Sequence, residues 1–172
     1  MQSKKLPMIV FSICMLVFVM SVLLLSEKLP ANVAIHFNSA GQASDWMTKD
    51  GHFAFILLFG IGISVFLIGI CYSIRFFPSS MLNVPNKNYW RSKEHYPEAC
   101  DFIFHHSFWM ASMIIALLSS INYTIVQANR LTPPSLDVKD SFAVIVLFFI
   151  CVLAWAAFLI LHFYRKMENK DC

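Results

Sequence analysis

Four long apolar runs are separated by polar connections along the chain. They cover approximately residues 6–25, 53–74, 107–127 and 142–163 and contain no Asp, Glu, Lys or Arg. A helix of roughly 20 residues, rising about 1.5 Å per residue, crosses a hydrocarbon layer about 30 Å thick. Because backbone polar groups in lipid must be satisfied within their own segment, such runs are typical of helices. The pattern predicts an all-α integral membrane protein, a four-transmembrane-helix bundle with a single membrane domain over residues 1–172.

The first run could also be the core of a cleaved signal peptide, because Lys4 and Lys5 precede it. A signal-peptide core spans about 7–15 residues, and this run is longer. We therefore expect a retained membrane anchor, with the cleaved signal peptide as the alternative.

Lysine and arginine are divided unequally between the two sides that these spans would separate. The side with both termini and the second loop holds nine: Lys4, Lys5, Arg75, Lys87, Arg91, Lys93, Arg165, Lys166 and Lys170. The other side holds four: Lys28, Lys49, Arg130 and Lys139. Since short cytoplasmic segments carry the excess of positive charge, we predict an N-in/C-in topology, with both termini cytoplasmic.

Composition agrees with this class. The chain is 58% hydrophobic and 13% charged, whereas soluble proteins carry roughly a quarter charged residues. The net charge of +3 comes from separate basic stretches near the bilayer and not from one basic patch with stacking aromatics. The expected partner is the lipid bilayer, and no nucleic acid is expected.

The loop between the first two runs, residues 29–49, is patterned more strongly than a simple connector requires. It contains turn formers, an extended 33–35 segment and two aromatic residues; the turn formers and aromatics are Pro30, Asn38, Gly41, Phe37 and Trp46. Turn formers and interfacial aromatics predict a structured first extracytoplasmic loop that folds against the bundle.

Small and polar residues recur at helical spacing inside two runs. In the third run they are Ser112, Ala116, Ser119 and Tyr123, with Asn122 beside them; in the second they are Gly62, Gly69 and Ser73. Such stripes predict helix-packing seams, and a polar permeation path is the alternative.

The second loop, about residues 76–106, is expected to be irregular and then to open a helix near Pro97 that continues into the third span. Tyr89 and Trp90 are expected at the inner headgroup level, and His162 is expected to be an interfacial anchor. The third loop has a turn at 132–135.

Two groups of residues have the side chains of a metal site. The outer group is His36, Asp45, Asp50 and His52, and the inner group is Glu94, His95, Glu98, Cys100, Asp101, His105 and His106. A hydrogen-bonded turn explains the outer group better than a metal does, and a solvated helix start explains the inner group better. Neither group has the spacing of a closed site. We predict no metal and no cofactor. The chain also lacks G-x-S-x-G, H-E-x-x-H, P-loop and G-x-G-x-x-G motifs, so no enzyme activity is predicted.

The loop residues Leu29-Pro30, Ile35-His36-Phe37-Asn38, Gly41 and Asp45-Trp46, placed between two spans, resemble the bacterial membrane domain of unknown function 1648. The resemblance covers about residues 8–75. This domain also occurs in SdpI-type immunity proteins, which resist a secreted killing peptide and signal its presence. Residues 82–90 resemble a segment common in one branch of the family.

The resemblance implies a location in the bacterial cytoplasmic (inner) membrane and two sets of candidate residues. The ligand-binding candidates are Pro30, His36, Phe37, Asn38, Gly41, Asp45 and Trp46, and the cytoplasmic-loop candidates are Asn83, Pro85, Asn86, Tyr89 and Trp90. The implied function is non-enzymatic envelope immunity or stress sensing through the first loop, with a membrane-active peptide or another membrane protein as partner. The alternatives are a small transporter or transporter subunit, and a lipid-headgroup enzyme with His36 and Asp45 as acid and base.

Overall fold

The computed structural model describes residues 5–165, of which most are helical. In chain order the elements are α1 (Leu6–Ser26), β1 (Asn32–Phe37), β2 (Ala43–Thr48), α2 (Lys49–Ser73), 3₁₀ turns at Ile74–Phe76 and Ser79–Met81, α3 (Lys87–Trp90), α4 (Tyr96–Ala128) and α5 (Val138–Arg165). The helices α1, α2, α4 and α5 are long and apolar enough to cross a membrane. The four predicted runs are therefore confirmed as helices of membrane-spanning length. Lys4, Lys166 and Lys170, used in the charge count, lie outside the described residues.

Three spans begin earlier than the apolar runs because local chemistry determines where a helix starts. Pro97 lies in the first turn of α4, where its missing N–H costs nothing. At the start of α2, the Thr48 hydroxyl accepts a hydrogen bond from Gly51 N–H (3.2 Å). The predicted helix opening near Pro97 is confirmed.

The helices α1, α2 and α4 share one apolar core. Its fully buried members are Phe18, Val22, Ile56, Ile115 and Leu118. The fourth span, α5, packs mainly on α4, and its most apolar stretch contains no buried residue. The bundle is thus a three-helix core with a peripheral fourth span.

The packing seam of α2 differs from the predicted one. Nothing lies within 4 Å of a Cβ built at Gly62 or Gly69, so neither glycine is at a helix contact. The buried face is instead His52, Ile56, Gly60 and Ser64. A Cβ at Gly60 would lie 2.5 Å from Cζ of Phe18 on α1. The prediction was wrong because the Phe18 ring, and not the count of small residues, determines which face of α2 packs.

In α4 the predicted seam is half correct. Ser112 and Asn122 are buried, whereas Ala116 and Tyr123 are exposed. The buried stripe passes through Ile115 and Leu118 instead. The observed buried stripe is rotated about the helix axis relative to the predicted one. The reason is that large apolar residues fill the contact with α1 and α2.

The connection between α1 and α2 forms a two-stranded antiparallel hairpin, an element that the all-α prediction does not include. Its register pairs Asn32 with Thr48 and Val33 with Met47, and irregularities follow after Ala34. Val33 and Ala34 are buried, which places β1 against the ends of the helices. We call this end of the bundle the hairpin end.

Candidate functional site

One asparagine clamps the hairpin to the bundle. Ala34 N–H donates to Oδ1 of Asn129 (2.8 Å), and Asn129 Nδ2 donates back to the Ala34 carbonyl (2.9 Å). Asn129 follows directly after α4, and its Nδ2 also donates to the Ile125 carbonyl (2.9 Å). The amide thus replaces a neighbouring strand for β1, whose buried polar groups would otherwise lack partners.

The turn of the hairpin is organised by Asn38. Its Oδ1 accepts hydrogen bonds from the N–H groups of Ala40 (3.0 Å) and Gln42 (2.9 Å). Gly41 N–H donates to the Asn38 carbonyl (2.9 Å), and Gly41 has φ +77°, a conformation that favours glycine. Two of the candidate ligand-binding residues therefore have structural roles in the turn.

The hairpin tip is attached to the connection between α4 and α5. Leu136 N–H donates to the Gly41 carbonyl (2.9 Å), and Gln42 forms a β-bridge with Ser135. A Cβ at Gly41 would collide with the Leu136 carbonyl oxygen. The first loop and the third loop are consequently one bonded unit.

The outer surface of the hairpin is polar and aromatic. Nδ1 of His36 lies 3.4 Å from Oδ2 of Asp45, and their side chains are 71% and 65% exposed. Trp46 is 49% exposed, and its backbone N–H donates to Oδ1 of Asp45 (2.8 Å). Of the seven candidates, these three are exposed and close together along the hairpin, and we call this part of its surface the His36–Trp46 face.

The remaining candidates of the first set contribute less to that face. Pro30 is exposed and follows the buried Leu29, and Phe37 is half-buried at the end of β1. Neither side chain has a polar atom, so both shape the hairpin without adding hydrogen-bonding groups.

The outer metal group does not assemble. His52 is buried, and its Nε2 lies 3.0 Å from Oδ1 of Asn122, in a hydrogen bond between α2 and α4. His36 pairs with Asp45 instead. Within residues 5–165 no group of three or more His, Cys, Asp or Glu residues could hold a metal ion.

The cytoplasmic-loop candidates form a cap on the end of α5. Trp90 is fully buried, and its Nε1 donates to the Phe163 carbonyl (3.1 Å). Asn86 Nδ2 lies 3.2 Å from the carbonyl oxygens of both Phe163 and Tyr164. Since the last carbonyls of a helix have no intrahelical partner, these side chains supply the missing donors. The expectation that Trp90 lies at the headgroup level stays a prediction, since its burial in the protein does not fix its depth in the membrane.

The other members of this set surround the cap. Tyr89 is half-buried and its ring stacks on His95, with centroids 3.9 Å apart. Asn83 is exposed and Pro85 half-buried. The loop is therefore packed around Trp90.

His162 is also part of this packing. Its ring stacks on Phe102 of α4, with centroids 3.6 Å apart and an interplanar angle of 6°. The centroid of the Trp90 ring lies 6.0 Å from that of His162. His162 therefore joins α5 to α4, and its expected position at the membrane interface stays a prediction.

Sequence reasoning missed the roles of Asn129 and of the His52–Asn122 pair. The signal that could have found them is spacing. Asn122 and Asn129 follow Ile115 at intervals of seven residues, which places both on the apolar contact face of one helix. A polar residue on such a face needs a buried partner.

The comparisons with known proteins bear on the first third of this structure. Residues 12–61 match the family model described as Domain of unknown function (DUF1648). The matched segment contains most of α1, the whole hairpin and the first half of α2, so the resemblance stated from the loop residues is confirmed. Searches of curated proteins and of solved structures found no match.

Proposed function

We propose that this DUF1648-containing membrane protein is a non-enzymatic envelope immunity or stress-sensing protein. In this proposal the His36–Trp46 face receives a membrane-active peptide or another membrane protein, by analogy with SdpI-type immunity proteins. The observation that carries the proposal is the exposure of His36, Asp45 and Trp46 on a hairpin that is hydrogen-bonded at its base, turn and tip.

Rigidity supports a binding role for the hairpin. A loop that is already ordered loses little conformational entropy when a partner binds. Trp46 offers a large ring with a polar N–H, a combination enriched at binding surfaces and at membrane interfaces. The His36–Asp45 pair adds hydrogen-bonding groups beside it. A connector without a partner would need none of these exposed groups.

We also propose that the protein lies in a bacterial inner membrane with both termini cytoplasmic. The support is the excess of lysine and arginine, nine against four, on the side of the termini and of the second loop. The His36–Trp46 face would then be extracytoplasmic, where a secreted peptide first meets the cell.

The absence of enzyme activity remains part of the proposal. Catalytic acid–base pairs usually lie in clefts that exclude water. The side chains of His36 and Asp45 are 71% and 65% exposed on an open hairpin, a setting that suits recognition better than proton transfer.

The proposal is tested by complementation. A host deleted for the gene receives wild type, the double variant His36→Ala Trp46→Ala, or the control Ser44→Ala, whose serine is exposed on the same strand as Trp46. Survival is then measured across membrane-active peptides and envelope stresses. We expect wild type and Ser44→Ala to restore survival, and the double variant to require about tenfold less challenge for killing, because truncating a central aromatic contact typically costs more than 1 kcal/mol.

Immunoblots of the membrane fraction must show equal amounts of all three proteins. If the deletion strain survives every challenge as well as wild type, or if the double variant protects fully, the proposal is rejected.

A further inference from the structure

The two edges of the hairpin differ in how their backbone groups are bonded. In an antiparallel ladder, facing residues alternately bond to each other and point their N–H and C=O groups away from each other. Both groups of Ala34 bond to Asn129, so Ala34 and the residue that faces it, Trp46, form a pair of the second kind. The N–H and C=O of Trp46 therefore point away from β1, to the outer edge of β2.

The bonds around Trp46 agree with this direction. Its N–H is covered by Oδ1 of Asp45 (2.8 Å), a side chain of its own strand. Among the hydrogen bonds of residues 5–165, none goes to the Trp46 carbonyl. By the same alternation the N–H of Thr48 also points outward. The outer edge of β2 thus offers an unused acceptor and a donor that only a side chain covers.

The chain itself already pairs with one end of this edge. Gln42, directly before β2, faces Asn38 on its inner side, where Asn38 N–H donates to the Gln42 carbonyl (2.9 Å). Since the inner side is occupied, Ser135 pairs with Gln42 on the outer side, in an antiparallel bridge. This pairing ends before the exposed residues 44–46. An added strand would therefore continue an edge contact that the fold already makes.

The edge matches a peptide backbone better than any other ligand. Outward-pointing groups on a strand recur at every second residue, about 7 Å apart. Another extended chain has the same repeat of donors and acceptors, whereas a lipid headgroup has not. Addition of a strand to an exposed edge is a general mode of peptide recognition. The 49% exposed Trp46 side chain gives such a strand an apolar contact beside the backbone bonds.

Asp45 protects this edge. Its Oδ1 accepts from the Trp46 N–H, and its Oδ2 lies 3.4 Å from Nδ1 of His36. Charged side chains on edge strands typically prevent unwanted pairing. A carbonyl of a partner can bond to the Trp46 N–H only when the carboxylate turns away. Asp45 thus competes with an added strand.

We propose that an extended peptide adds to the outer edge of β2 as a third strand, and that one of its residues exchanges both backbone hydrogen bonds with Trp46. The inference rests on the function proposed above, since it takes the natural partner to be a peptide and states how that peptide is held. A second copy of the chain would offer its own β2 strand instead, and the experiment distinguishes the two partners.

The test uses the full chain, at one copy per phosphatidylcholine nanodisc, and a neutral heptapeptide of alternating valine and threonine with blocked ends. Amide hydrogen exchange is followed by NMR. With the peptide, the N–H groups of Trp46 and Thr48 should exchange about three- to tenfold more slowly, the range for one net hydrogen bond. The N–H of Met47 faces Val33 and should not change. A heptapeptide N-methylated at its three central residues should have no effect.

Variants of Asp45 separate competition from charge attraction. Asp45→Ala uncovers the Trp46 N–H, so a fluorescent heptapeptide should bind about three- to tenfold more tightly by anisotropy. Asp45→Asn keeps an acceptor oxygen and should bind within about twofold of wild type. Asp50→Ala removes an exposed carboxylate in the first turn of α2 and is the control, which should bind as wild type.

Weaker binding to Asp45→Ala would overturn the proposal, as would equal slowing of Met47 and Trp46. Slow exchange of Trp46 without peptide, in nanodiscs that hold two copies, would overturn it in favour of a second copy.

These measurements need no host cell, so they fail separately from the complementation assay. Restored survival with no change at Trp46 would leave the proposed function standing and overturn strand addition alone. Slower exchange at Trp46, with a deletion strain that survives every challenge, would support strand addition and reject the proposed function.

Discussion

Three asparagine side chains complete hydrogen bonds that secondary structure leaves open. Asn38 serves the hairpin turn, Asn86 the end of α5, and Asn129 the buried edge of β1. A primary amide carries both a donor and an acceptor, so it can stand in for a peptide group. Asn38 and Asn86 were candidate functional residues because of the family resemblance. The structure explains both by the hydrogen bonds that they form with backbone groups.

Asn129→Ala should be the most damaging of the asparagine substitutions. It removes two hydrogen bonds to Ala34 and leaves a buried N–H and C=O without partners, so we expect a loss of about 2–4 kcal/mol in the free energy of unfolding. Unfolding in mixed micelles titrated with dodecyl sulfate measures it. The control is Asn88→Ala, because Asn88 is exposed, and it should stay within about 0.5 kcal/mol of wild type.

Asn129→Asp refines this test, because aspartate keeps the acceptor for Ala34 N–H and loses the donor for the Ala34 carbonyl. An Asp variant as stable as wild type would show that the donated bond contributes nothing, contrary to the clamp described here.

Trp90→Phe removes the indole N–H and part of a buried ring. The Phe163 carbonyl loses one donor but keeps Asn86, and the smaller ring leaves a cavity, so we expect a loss of about 2–3 kcal/mol. In the double variant with Asn86→Ala the loss should exceed the sum of the single losses, since the carbonyl then has no donor. Trp46→Phe, on the exposed face, is the control. Additive losses would contradict a shared acceptor.

At the scale of elements, the sequence predicts the helices well and their faces poorly. Run length and the absence of charge were sufficient for all four spans. The buried face of α2 was not predictable from the sequence, because small residues lie on more than one face of this helix. Only the position of the neighbouring helix determines which of these faces is buried. The ring of Phe18 makes Gly60, and not Gly62, the contact.

A matched pair of glycines tests this contact. Gly60→Ala would place a methyl group against the buried Phe18 ring, and overpacking of this kind costs about 1–3 kcal/mol. Gly62→Ala meets nothing within 4 Å and has a better helix former, so its thermal unfolding midpoint should equal or exceed that of wild type. Equal destabilisation of both variants would mean that α1 does not pack on this face.

At the scale of the molecule, α5 is held mainly at its two ends. At the hairpin end its connection bonds to Gly41 and Gln42, and at the other end Asn86 and Trp90 hold its last carbonyls. The side-chain bonds among these contacts join residues 73 to 78 positions apart. Sequence periodicity relates only residues that are close together within one element. The composition of the loop therefore indicated candidate residues of the His36–Trp46 face, whereas the long-range hydrogen bonds that hold the hairpin were not predictable.

The proposed topology predicts opposite labelling of the two loops. In a cysteine-free background, Ser44→Cys on the hairpin should react with a membrane-impermeant maleimide in intact cells. Lys93→Cys in the second loop should react only after lysis. Both positions are exposed, so burial does not explain a difference. The reverse pattern would invert the topology and place the His36–Trp46 face in the cytoplasm.

The clamp between Ala34 and Asn129 also has a consequence in time. Its partners lie 95 residues apart, so at about 5–20 residues per second the ribosome makes Asn129 roughly 5–20 s after Ala34. During that interval β1 has no amide to satisfy its inner edge, although the whole segment 12–61 already exists. The DUF1648 segment is therefore made before the residue that completes β1, and it reaches its final structure only after α4 has been synthesised.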